Sequence, residues 1–173
     1  MSNLLKNIIR FILLILVQVF VLNKIILYEL VNPYLYLLFI LLLPINIPRP
    51  ALLFLGLVTG LCMDMFMNTM GMHAAACVLI AYLRPFILNI LSPQGGFEMT
   101  AGKSPSLSTL GFVPFMTYAT ILILIHHAVY FTLEVFGFSN LGFLLLKILL
   151  SAAVTLGLVL LCELLFYRKA GRK

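Results

Sequence analysis

The sequence predicts an all-α fold: a polytopic membrane protein built as a compact bundle of six transmembrane helices with both termini cytoplasmic, one integral membrane domain over residues 1–173. Composition, run length and charge placement each point that way. The hydrophobic fraction is 64% and the charged fraction 9%, with a mean hydropathy of +1.19. Soluble domains hold about 45–50% apolar and about 25% charged residues, so a water-soluble fold of this size could not cover such a surface. Apolar runs of about 18 to 25 residues recur along the chain, the length that crosses roughly 30 Å of hydrocarbon as helix. These runs are continuous Leu, Ile, Val and Phe, without the alternation of a membrane β-barrel strand. With six crossings and both ends inside, only Lys24 and Lys147 among 11 Lys and Arg fall on the outer side, a bias that fixes topology.

The first span is expected over residues 8–27. Lys6 and Arg10 precede it in the manner of a signal peptide, but Val21-Leu22-Asn23-Lys24 offers no small-residue cleavage site, so the run reads as a retained helix. The second span, residues 32–46, is bracketed by Pro33 and Pro44 and crosses only if its flanks contribute turns; a re-entrant segment is the alternative. Pro44, Pro48 and Pro50 make PINIPRP a tight connection, because proline cannot continue an α-helix. The third span covers 51–68, a turn follows at Asn68-Thr69-Met70-Gly71, and the fourth covers 72–91, with Arg84-Pro85 kinking or thinning its inner end. Residues 92–112 are rich in Gly, Ser and Pro and read as a flexible cytoplasmic loop. The fifth span is expected at 113–136 and the sixth at 141–166, before a basic tail at 167–173.

Cys62, Cys77 and Cys162 lie inside apolar runs without paired spacing, which indicates neither a disulfide framework nor a zinc site. The net charge of +6 sits mostly in short loops and at the termini, where insertion topology accounts for it, so no nucleic-acid partner is implied. His-Glu-x-x-His, Gly-x-Ser-x-Gly, a Gly-rich phosphate loop and clustered aspartates are all missing from the sequence. No enzyme activity, metal or cofactor is expected.

Asp64 is the informative residue. Gly56, Gly60, Asp64 and Asn68 recur every fourth residue and so form one slowly drifting stripe of the third helix. The glycines let another helix approach closely, and the same face then presents Asp64 and Asn68 to it. A carboxylate near the bilayer centre costs about 2.5–3.5 kcal/mol, so it should face protein and be partnered. If the hairpin pivots near Met70, His73 is offset from Asp64 by roughly 5 Å and Arg84 by roughly 12 Å, at 1.5 Å per residue. His73 is therefore the expected partner, and Arg84 is expected to snorkel to the interface. No other acid is expected deep in a span. An interhelical hydrogen-bonding role for Asp64 implies that Asp64→Asn is tolerated while Asp64→Ala is not.

Other constellations are weaker. His126 and His127 point about 100° apart, so they do not readily clasp one metal; one of them is expected to bond a neighbouring helix. Glu134 and Lys147 flank a short turn and either form an ion pair or snorkel separately. Arg168, Lys169, Arg172 and Lys173 anchor the tail at the membrane surface, where they can also attract anionic membrane lipids.

A short six-span bundle whose third helix carries Gly56-x-x-x-Gly60-x-x-x-Asp64, followed by Gly71-Met72-His73-Ala74 at the start of the fourth, resembles the bacterial rod-shape-determining MreD family. That resemblance implies a multi-pass protein of the bacterial cytoplasmic membrane, a non-enzymatic scaffold of the cell-elongation complex. Its implied partners are MreC, the filament protein MreB, and RodA with its transpeptidase partner. On the same basis Gly56, Gly60, Asp64, Gly71 and His73 are packing and interaction residues. The alternative is a substrate-binding subunit of an energy-coupling-factor-type vitamin transporter. Such subunits dock through small residues on the first helix, which FILLILVQVFVL lacks. A monomer and a homodimer are both compatible with the sequence.

Overall fold

The computed structural model describes residues 3–24, 30–91, 102–135 and 140–166. Among them the protein is all-helical, without a strand: α1 (Asn3–Phe20), α2 (Leu37–Leu41), α3 (Arg49–Met67), α4 (Met72–Ile90), α5 (Leu107–Leu110), α6 (Phe112–Val135) and α7 (Leu141–Leu165), with a 3-10 turn at Leu22–Lys24. Five stretches are long and apolar enough to cross a membrane: Leu5–Lys24, α3, α4, α6 and α7. Their outward faces carry large apolar side chains, such as Ile12 at 49%, Phe54 at 65% and Leu145 at 57% exposure. Polar side chains such as Gln18, Thr59, Arg84, Ser151 and Thr155 are completely buried. Apolar outside and polar inside is the arrangement that lipid as solvent favours. The chain is a multi-pass membrane protein.

Local sequence sets the helix ends. Pro50 sits in the first turn of α3, where its missing N–H costs nothing. Asn68 stops α3 in the left-handed conformation at φ 55°, and Gly71 opens α4 at φ 81°, where glycine carries no Cβ penalty. Asn140 starts α7 by accepting a hydrogen bond from Phe143 N through its side chain. α4 is the hub: it packs on α3 and α6, and α6 packs on α7.

The second span departs from expectation. Instead of a helix over 32–46, residues 30–48 run as extended chain and turns around the single short helix α2. Every residue from Pro33 to Leu43 is buried. Pro33 and Pro44 cannot donate to a helical ladder, so beyond the bonds of its own turns this backbone takes hydrogen bonds from side chains of the surrounding helices. The loop expectation is corrected in part as well. Residues 92–101 lie outside the described residues, but α5 is formed, Leu107 is buried, and Lys103 O accepts from Ile45 N at 3.0 Å. The basic tail with Arg168, Lys169, Arg172 and Lys173 lies outside the described residues.

Candidate functional site

The α3–α4 hairpin closes around the Gly56–Gly60–Asp64 stripe. A Cβ on Gly60 would lie 2.3 Å from Ala74 Cα, and one on Gly56 would lie 2.9 Å from Ala81 Cβ. Only glycine permits this approach. One turn further on, Asp64 caps the neighbouring helix. Its Oδ1 accepts from His73 N at 3.0 Å, and its Oδ2 accepts from Ala74 N at 3.0 Å. The Thr69 hydroxyl also donates to Oδ1. Asp64 thus satisfies orphan N–H groups at the positive end of α4, which favours a carboxylate on dipole grounds as well. Its partner is the His73 backbone, not the His73 ring. Asn68, expected on the same stripe, is exposed, because α3 ends at Met67 before the stripe reaches it.

The imidazole of His73 turns the other way, into a cluster at the centre of the bundle. The three histidines of the chain converge there with Tyr34, Tyr36, Tyr130 and Phe131. Tyr36 OH lies 2.8 Å from His73 Nδ1 and 2.9 Å from His126 Nε2. One hydroxyl carries one proton, so it donates to one ring and accepts from the other. Met67 Sδ, 3.2 Å from His73 Nε2, can only accept, which puts the His73 proton on Nε2. The bonds therefore run in one direction: His126 Nε2–H to Tyr36, Tyr36 O–H to His73 Nδ1, His73 Nε2–H to Met67. His73 also stacks on Tyr130 with centroids 4.2 Å apart.

His127 anchors a second chain of bonds. Its Nδ1–H donates to Ile123 O at 2.8 Å, leaving Nε2 to accept from Thr155 Oγ1 at 3.2 Å. Thr155 Oγ1 in turn accepts from Tyr34 N at 3.0 Å. Both α6 histidines are thus engaged, His126 with Tyr36 of the 30–48 segment and His127 with Thr155 of α7. Among the described residues no group of three or more His, Cys, Asp or Glu could hold a metal ion.

The rest of the 30–48 backbone is held by single polar residues from distant helices. Gln18 donates to Pro33 O at 2.8 Å and accepts from Tyr36 N at 3.4 Å, and Ser151 Oγ accepts from Asn32 N at 3.0 Å. At the other end, Tyr118 OH donates to Leu41 O at 2.8 Å, Arg10 donates to Leu42 O at 3.1 Å, and Arg84 donates to Leu43 O and Pro44 O. Arg84 is completely buried instead of snorkelling, since these carbonyls have no helical donors of their own. Glu163 is a second buried acid that the sequence reading missed; it accepts from Leu107 N at 2.8 Å and so pins α5 to α7. At the far end of the α6–α7 hairpin, Lys147 Nζ lies 2.6 Å from Glu134 Oε2 and 4.7 Å from the centroid of Phe131.

The fold and this interior define a class: a multi-pass helical membrane protein whose buried polar groups bind one another and one broken segment. The chain matches no family model, no curated protein and no solved structure.

Proposed function

We propose that the protein is a non-enzymatic scaffold of the bacterial cell-elongation complex in the cytoplasmic membrane, linking the MreB filament and MreC to RodA and its transpeptidase partner. The observation that carries this reading is the use made of Asp64. Both of its oxygens accept hydrogen bonds at the start of α4, and the glycines beside it bring α3 and α4 into backbone contact. An acid committed to joining helices supports a shape-keeping role over a proton relay. The same residues, Gly56, Gly60, Asp64, Gly71 and His73, carry the resemblance to MreD.

Six crossings follow if residues 30–48 count as one. That segment begins beside Gln18 and ends beside Arg10, a displacement of about 12 Å back along α1 at 1.5 Å per residue. It would then return the chain to the side where α1 starts, leaving both termini on the side where Lys and Arg concentrate.

The test is depletion of the protein in its host with affinity purification of its neighbours. The scaffold reading predicts rod cells that round up, and recovery of MreC-like or RodA-like proteins. Unchanged cell shape with no elongation partner recovered would reject it.

A further inference from the structure

At the end of the bundle where α1 begins, a cavity of about 480 Å³ opens between α1, the turn at Pro44 and the chain from Gly102 to Thr109. This volume falls in the range of small-ligand sites, about 300–1,000 Å³. Its charged lining is all cationic: Lys6, Arg10 and Lys103. Asn7, Ser104, Ser106 and Thr109 add neutral hydrogen-bonding groups between them. Arg10 is held in place by its bonds to Leu42 O and to Asn7 Oδ1 at 3.3 Å. Glu163 attracts Arg10 but is buried and bonded to Leu107 N. Neither the Lys6 nor the Lys103 ammonium has an ion-pair partner among the described residues.

Insertion topology calls for basic residues at this end of the chain, but it does not require them to converge on one concave site. Like charges gathered in a cleft repel one another and focus a positive potential, and an anion relieves both. A phosphate group matches this lining, with several acceptor oxygens for ammonium, guanidinium and hydroxyl donors. Along α1 from Lys6, the residues on the same side of the helix, Ile9, Leu13, Leu16 and Phe20, are exposed and apolar. That row continues the site into hydrocarbon. We propose that the cavity binds the phosphate group of an anionic phospholipid, whose acyl chains lie along α1. This requires only a membrane-embedded bundle and stands apart from the elongation-complex reading.

The experiment counts bound lipid by native mass spectrometry on the full chain in neutral detergent, with melting temperature in parallel. The probes are phosphatidylglycerol, phosphatidylcholine and inorganic phosphate. Phosphatidylglycerol is expected to be retained over phosphatidylcholine, whose choline the cations repel. Lys6→Ser and Lys103→Ser should each weaken that preference about fivefold, as one basic group at a membrane surface contributes. Lys24→Ser, at the other end of the same span, removes the same charge and should leave it intact. Equal retention of the two lipids by the unmodified protein, or an equal loss in Lys24→Ser, would overturn the site. Stabilisation by inorganic phosphate that also displaces phosphatidylglycerol would overturn the lipid as the source and assign the cavity to a soluble phosphate.

Discussion

Asp64 acts through two acceptors, and this makes its substitutions predictable. Removing the side chain orphans the N–H groups of His73 and Ala74, each costing about 1–3 kcal/mol when buried. Asparagine is nearly the same shape but carries an NH₂ in place of one oxygen, and either orientation faces a donor with a donor. Asp64→Asn is therefore expected to lose about 1–3 kcal/mol, lowering the melting temperature in detergent by roughly 2–4 °C per kcal/mol. Wild-type melting in Asp64→Asn would contradict the double cap. This prediction replaces the tolerance expected from sequence, because spacing identified the facing helix but not the atoms that face. Backbone N–H groups are invisible in a residue string, whereas the imidazole of His73 is spelled out in it. Gln18 was more legible in principle, as the lone polar residue of FILLILVQVFVL, and its role is to hold Pro33 and Tyr36.

Among the elements, the α3–α4 hairpin was readable from four-residue spacing, because small residues on one helical face have one main use in lipid. The contacts rank its glycines. A methyl on Gly60 would collide with the backbone of α4, which cannot yield as a flexible side chain does. Overpacking of this kind costs about 1–3 kcal/mol, and Gly60→Ala should cut the yield of monodisperse protein. Gly71 has open space but a φ of 81°, so Gly71→Ala should cost only the left-handed backbone penalty, about 1–2 kcal/mol. Size-exclusion profiles of the two variants check the order; Gly60→Ala behaving as well as Gly71→Ala would contradict it. The segment at 30–48 was not readable in the same way. Its apolar run from Leu35 to Leu43 suits a helix or a buried strand equally, and the groups that hold it open come from positions 10, 18, 84, 118, 151 and 155. Nothing local encodes such a partnership. On α7 a hint exists: Ser151, Thr155, Val159 and Glu163 form a stripe at every fourth residue, and all are buried.

At the scale of the molecule, hydropathy alone identified the long apolar helices, because lipid demands continuous apolar surface and internally bonded backbone. What it could not reveal is that the core is organised around a stretch that is mostly not helical. Four of the long helices, α1, α4, α6 and α7, send polar side chains inward to residues 30–48, and together these make up for the helical ladder that most of the segment lacks. The claim that this segment sits inside the bundle can be tested directly, since the chain contains no tryptophan and single probes report without background. Phe39, 4% exposed beside α1, and Phe54, 65% exposed on α3, are the two sites. In bilayers of brominated lipid, Phe54→Trp fluorescence should be strongly quenched and Phe39→Trp fluorescence should not. Equal quenching of the two probes would mean that the segment meets lipid, and the interior described above would not exist.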